Sequence, residues 1–366
     1  MHPDARLLAF AAIIGASVFG ATAARADSGL GYVQTNLVSN GAIQAKTTDP
    51  NLLNAWGIDF LPGAPFWIAD NGAGVSTVYD GTGRRLPLVV EIPAPKGQPK
   101  GTTSTPTGLV ANVTGQFRAP GSVLPSMFIF DSEDGTVAAW NTLMGRHAMI
   151  VVDNSKDGSV YKGLAIGTNA KGNYLFATNF HNGTIDVFDS RFMPATLDGT
   201  FTDPNLPQGY GPFGIRNVAG DLFVTFAKQD ADKHDDDSGP GRGFVDIFDT
   251  DGHLITRFAT QGTLNSPWGI AHAPFDFGPF SGDILIGNFG DGRINAFDSA
   301  GHFLGQLQDP TGAPITIHGL WGLTFGGATK SDPDTLYFTA GPNDEADGLF
   351  GSLAPEGRVT LTTSAN

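Results

Sequence analysis

Four oxygen-bearing residues close short apolar runs in this 366-residue sequence: Asp70 in "FWIAD", Asp131 in "MFIFD", Asn179 in "YLFATN" and Asn288 in "ILIGN". Carboxylate and amide oxygens converging from several segments form the donor set that Ca2+ takes, about 6–8 at a time. An ion held that way polarises a carbonyl or activates a water. At strand ends the same residue types also close Asx turns and cap hairpin backbone, and both readings stay open here. Glu133 and Asp134, His181, Asp291 and Asn343-Asp344-Glu345 follow these runs closely.

A second set stands just before recurrent Gly-aliphatic pairs: Trp56, Thr107, Lys162, Phe213, Trp268 and Trp321. Three of the five Trp occupy this one position. As a collar, such rings suit a sugar or another flat, partly apolar ligand. As packing, they are wedges between structural units. His181 and His318 belong to the same end of their segments, and each reads as a candidate base or as a structural His. The stretch "AKQDADKHDDDSGPGRG" (227–243) places five Asp around His234 without the Gly and Glu offsets of an EF-hand loop. A like-charge run of this kind is expected to be a mobile solvated loop, free to act as a flap. Nucleophile-elbow, zincin and phosphate-loop motifs are absent from the sequence, as is Cys.

The elements that would position these residues follow from a repeat. Gly57-Ile58, Gly108-Leu109, Gly163-Leu164, Gly214-Ile215, Gly269-Ile270 and Gly322-Leu323 recur every 51 to 55 residues. After each comes an apolar run, a turn and another run, such as "STVYD", "TIDVFD" and "FVDIFD". Several repeats add a fourth run, as in "LPLVVEI" and "HLITRF". Asp-Gly and Asn-Gly pairs between runs suit tight hairpins. Four short antiparallel strands repeated six times predict an all-β, six-bladed β-propeller, in which each sheet buries its faces on its neighbours. The sixth repeat runs short of strands, whereas "YVQTNLVS" (Tyr32–Ser39) has no partner. The N-terminal strand is therefore predicted to complete the sixth blade and close the ring; residues 358–363 are the competing choice.

Composition agrees. Fifty Gly and 24 Pro beside 27 Phe and 40 % hydrophobic residues describe a turn-rich fold with a core. A net charge of −15 argues against a nucleic-acid partner. Arg6, the apolar stretch Leu7–Ala21 and the small residues of "ARA" (Ala24–Ala26) read as a signal peptide over 1–26. Export to the periplasm or the medium is expected, with one propeller domain over 27–356, a tail over 357–366, no membrane span in the mature chain, and a monomer.

The repeat pattern resembles NHL-type propellers. "DPNLLNAWGI", "FWIADNGAGVSTVYDG" and "GPNDEADGLFGSL" look like an uncharacterised family of exported bacterial propeller proteins. That resemblance implies fold and export and no established activity. A wider similarity to calcium-dependent gluconolactonase-like propellers implies a bound Ca2+, although their metal motifs do not match here residue by residue. Two functional expectations result. The first is a binding protein taking a small molecule, a glycan or a protein partner at Trp56, Lys162, Phe213, Trp268, Trp321, His181 and His318. The second is a divalent-metal hydrolase of lactonase or esterase type, with Asp70, Asp131, Asn179 and Asn288 on the metal.

Overall fold

The computed structural model describes residues 31–357. The predicted leader 1–26 and the competing strand 358–363 lie outside the described residues. The chain forms a six-bladed β-propeller of small antiparallel sheets, with almost no helix among the described residues. The inner strands are Ala55–Asp59, Pro106–Ala111, Tyr161–Asn169, Tyr210–Val218, Pro267–His272 and Leu320–Phe325, in blades 1 to 6. Each packs against the next, and the sixth packs against the first. Blade 3 departs from the pattern: its sheet has three strands, and an isolated bridge between Phe188 and Pro194 stands where the outer strand would be.

The repeated Gly is explained by crowding near the axis. A β-carbon on Gly57 would lie 2.5 Å from the carbonyl oxygen of Thr107 in blade 2. One on Gly322 would lie 2.7 Å from the Trp56 carbonyl oxygen in blade 1. The other four face the next blade's backbone in the same way. Any side chain would push neighbouring blades apart, so the spacing of Gly is the spacing of blades.

The ring closes as the unpaired N-terminal strand predicts. Tyr32–Ser39 pairs antiparallel with Leu349–Pro355, running from Tyr32 opposite Pro355 to Ser39 opposite Leu349. Thr47–Thr48 then adds a short parallel strand outside it. Leu37 and Val38 are buried, and the Tyr32 hydroxyl donates to the Phe277 carbonyl in blade 5. The strand thus buries apolar side chains as well as covering an edge.

Side chains stitch the blades at the same radius. Thr178 donates to the Phe213 carbonyl, Thr107 to the Tyr161 carbonyl and Thr339 to the Trp56 carbonyl. On the outer turns, His253 and His302 each bond the Asp four residues earlier, Asp249 at 3.0 Å and Asp298 at 2.9 Å. Their repeated "GH" signature is a turn clasp.

Along the axis lies a cavity of about 150 Å3 lined by Ile58, Leu109, Leu164, Ile270 and Leu323 among others. Arg216 of blade 4 reaches across it to blade 6, donating to the Leu323 carbonyl at 3.0 Å and the Thr324 hydroxyl at 3.1 Å. Asp59 lies in the same cavity. Burial pushes its carboxyl up, and the Arg216 charge opposes that.

Candidate functional site

All six inner strands carry a register irregularity at or beside the residue that precedes the repeated Gly. A bulge leaves a residue outside the ladder and re-aims its side chain. In the three Trp blades the chain also turns through left-handed backbone two residues earlier, at Asn54 (φ 45°), Ser266 (φ 45°) and Gly319 (φ 67°). This local geometry sends Trp56, Trp268 and Trp321 toward one another over the axis.

The rings form a plug. Trp56 and Trp321 stack with centroids 3.4 Å apart, and Phe289 stacks on Trp321 at 4.0 Å. Trp268 meets both indoles edge-on, at 5.9 and 5.8 Å. Phe213 stands edge-on to Trp321, and Phe180 packs on Phe213. Trp56, Phe213 and Trp321 are each about 1 % exposed, and Trp268 is half-buried. Instead of an open collar or separate wedges between blades, the aromatic residues pack on each other and floor the centre of the face.

Lys162, the charged member of the set, rests on this floor. Its ammonium lies 5.2 Å from the Trp56 ring centre, and its side chain is 1 % exposed. It bonds the Glu133 carboxylate of blade 2 and, at 2.8 Å, the Asp235 carboxylate of blade 4. Burial alone would push the ammonium down; the Glu133 and Asp235 charges outweigh it and hold it above the usual lysine range.

Glu345 of blade 6 completes the cluster. Its carboxylate accepts from Asn54, which also donates to Asn71, and Asn71 donates to Glu133 at 2.8 Å. Burial, with the Glu133 charge adding to it, pushes Glu345 up to about 7 against the Asn54 hydrogen bond. The turn presenting it is strained: Asn343, Asp344 and Glu345 are all left-handed, at φ 57°, 51° and 64°. Each such residue costs about 1–2 kcal/mol, and strain of this kind is found where structure over-determines a functional conformation.

The Asp-rich segment is largely exposed, as a like-charge run should be, but it is tied down at several points. Asp235 binds Lys162, while Asp237 takes both Lys228 and Arg242. Gln229 donates to the Phe180 carbonyl and the Gly239 amide to Asn265. His234 lies 3.2 Å from Asp235, which raises the imidazole and, together with Lys162, lowers the carboxyl. One distant counter-ion, Lys162, and two within the segment, Lys228 and Arg242, hold it in place.

The four predicted metal ligands are not brought together. Asp70 is fully buried beside Thr77 and Asp49, and burial pushes its carboxyl well up. Asp131 accepts from the Gly108 amide at 2.6 Å and bonds Thr107 at 3.0 Å. Asn179 donates to Ser159 and Asp186, and Asn288 to the Thr263 carbonyl and Asp291. Asp131, Asn179 and Asn288 thus bond within their own blade or the seam beside it, whereas both Asp70 carboxylate oxygens, Asp131 Oδ2 and Asn288 Oδ1 are buried without a hydrogen-bond partner. Pairing register sets Asp131 apart from the other three. Asp70, Asn179 and Asn288 stand opposite Ala55, Tyr161 and Pro267, but in blade 2 it is Ser132 that faces Pro106. Asp131, one residue earlier, therefore points to the other side of the sheet.

Glu133, His234 and Asp235 do bring one ligand atom each to within 4.8 Å of one another. The Lys162 ammonium bonds two of the three. A fixed cation therefore stands where a divalent ion would be held, and the residues present do not fit the Ca2+ that the family resemblance implied.

Beside the plug lies a hollow of about 610 Å3, lined by Phe289, Asp291, His318, Asp344 and Glu345 among others. His318 is exposed on its wall. His181 is half-buried on blade 3, where its carbonyl accepts from Gln229. Sequence reasoning named Lys162 and missed its partners as a set. The available signal was the lone charge at a position otherwise aromatic or Thr, which requires carboxylates once buried.

This geometry can be set beside known proteins. No family model matches the sequence. Two uncharacterized proteins of Acanthamoeba polyphaga mimivirus do. R648 is 35 % identical over 330 residues, covering 87 % of this chain and 79 % of its own length. L690 is 34 % identical over 331 residues, covering 87 % and 85 %. The chain belongs to their family. These relatives are viral, whereas the sequence motifs resembled an exported bacterial family. Among solved structures, the family's fold is shared by virginiamycin B lyase from Staphylococcus aureus, with a TM-score of 0.51 and 14 % identity over 89 % of this chain and 99 % of that one. A protein of unknown function from Bacteroides thetaiotaomicron matches with a TM-score of 0.55 and 11 % identity over 89 % and 76 %. At these identities the likeness is one of fold.

Proposed function

We propose that this chain is a ligand-binding propeller that takes a small, hydroxyl- or amine-bearing molecule, such as a glycan, at the centre of the plugged face. The observation that carries the reading is the convergence of Glu133, Lys162, Asp235 and Glu345, from four blades, on an aromatic floor beside the 610 Å3 hollow. Asp291, Asp344 and Glu345 offer acceptors to hydroxyl or ammonium donors, and Phe289 offers an aromatic surface. The hydrolase reading places a divalent ion on Asp70, Asp131, Asn179 and Asn288, and the last three direct their hydrogen bonds to separate partners on blades 2, 3 and 5. Binding is therefore favoured over hydrolysis. Export of the mature chain as a monomer belongs to this reading, supported by the leader-like start; N-terminal sequencing of protein recovered outside the cytoplasm checks that part.

A thermal-shift screen against mono- and oligosaccharides and small amines tests the function. At least one compound should raise Tm, and the rise should disappear in Asp291→Ala combined with Glu345→Gln. A flat screen, or a shift that survives the double variant, would overturn the proposal.

A further inference from the structure

We propose that the axial cavity is a second ligand site, separate from the plugged face, and that it takes a zwitterionic amino acid with a small aliphatic side chain. Its wall is the repeat itself. The residues that follow the repeated Gly, Ile58, Leu109, Leu164, Ile215, Ile270 and Leu323, all line it, one from each blade, and all are buried. Trp268, on the other side of its Gly, lines the end toward the plug. An apolar cavity of about 150 Å3 stays dry and admits a molecule of about the size of benzene.

Two opposite charges stand at the end away from the plug. Asp59 and Arg216 each follow the aliphatic residue of their own blade, and both line the cavity and are half-buried. Blades 1 and 4 face each other in a ring of six, so the two groups bracket the mouth. Each is the charge that the other lacks at close range: Arg216 opposes the burial of the Asp59 carboxyl, yet among the described residues neither forms an ion pair. Arg216 donates only to neutral acceptors, the Leu323 carbonyl and the Thr324 hydroxyl, which leaves further N–H groups for a carboxylate. The two Asp59 oxygens accept one amide each, from Phe60 and Ala111, and each keeps a lone pair for an ammonium. A simple acid or a simple amine would answer one of these charges and confront the other at the edge of an apolar space. A molecule carrying both answers both: its carboxylate on Arg216, its ammonium on Asp59, its side chain among the six aliphatic residues. A charged side chain would be desolvated there without a partner, which restricts the class to aliphatic amino acids. The site is at the opposite end of the axis from the plugged face and does not depend on the ligand taken there.

Isothermal titration calorimetry of the full chain with L-valine and L-leucine is the test. At least one should bind with a stoichiometry of one. Isobutylamine and isovalerate, which are valine without its carboxylate and without its ammonium, should bind at least about tenfold more weakly, and so should L-aspartate. Arg216→Met and Asp59→Asn should each weaken the amino acid by about 10–100-fold, the range for losing a hydrogen bond to a charged group. No binding of either amino acid overturns the proposal. So does an amine or an acid that binds as tightly as valine, or amino-acid binding that both variants retain. The comparison of valine with its two analogues uses the wild type alone, so it decides the matter even if a variant fails to fold.

Discussion

The indoles of Trp56 and Trp321 stack with centroids 3.4 Å apart across the seam where blade 6 meets blade 1. Trp321 is held on every side: its Nε1 donates to Asn54 at 3.1 Å, and Phe289 covers its other face at 4.0 Å. Trp321→Ala should therefore lose about 3–5 kcal/mol, the range for deleting a large buried aromatic. Trp268→Ala, at a half-buried ring that meets the other indoles edge-on and donates to the Lys162 carbonyl at 2.8 Å, should lose less. Urea unfolding of both variants checks the order; equal losses would mean that the plug is not centred on Trp321.

Asp131 carries a pH dependence. Burial pushes its carboxyl up to about 7, against hydrogen bonds from Thr107 and the Gly108 amide. A group raised on folding contributes stability that is complete at low pH and lost as pH rises through its folded value. Asp131→Asn cannot ionise and keeps an oxygen for the Gly108 amide. It should match the wild type near pH 4 and become more stable by about 2–4 kcal/mol above pH 7. Chemical denaturation at several pH values reads the gap; a gap widest at low pH would contradict the assignment.

The strained turn gives a third expectation. Asp344 is exposed at φ 51° between two other left-handed residues. Gly adopts that conformation without steric cost. Asp344→Gly should stabilise the fold by about 0.5–1 kcal/mol, and a lower Tm would show that the aspartate holds the turn by contacts of its own.

The architecture was legible because backbone crowding leaves a mark in sequence. Gly57 and Gly322 recur with their four equivalents wherever one blade's inner strand meets the next, and the spare strand Tyr32–Ser39 fills the vacancy in blade 6. The site was less legible because pairing register and long-range charge leave weaker marks. Counting from run ends groups Asp131 with Asp70, although alternation along the strand points them to opposite sides. The bulges that turn Trp56 and Trp321 inward have no residue signature beyond the Gly itself. The ion pair that ties the exposed Asp-rich segment to the face joins Lys162 and Asp235 across blades, a pairing that no local pattern signals.

Arg216 spans the cavity at the axis, from blade 4 to the Leu323 carbonyl and Thr324 of blade 6. Arg216→Met would leave that carbonyl without this donor and Asp59 without its opposing charge. A loss of about 1–3 kcal/mol is expected, larger at pH 8 than at pH 5 because Asp59 must then stay ionised or take up a proton. Adding Asp59→Asn should recover part of the loss and flatten its pH dependence. Strictly additive single and double variants would show that the two groups do not interact.

The seam offers the last test. Removing residues 31–40 would strip the outer strand from blade 6, exposing the Leu349–Pro355 edge and the surfaces that Leu37 and Val38 cover. It would also remove the Tyr32 hydroxyl from the Phe277 carbonyl of blade 5. An open strand edge pairs with other chains, so the truncated protein should melt well below the full chain and run as oligomers in size-exclusion chromatography. Val38→Asp is the milder version, placing a charge at a site with no exposure; it should lower Tm while leaving the strand hydrogen bonds in place. If the truncated chain kept its Tm and ran as the full chain does, blade 6 would be stable on three strands and the N-terminal strand would be dispensable to closure.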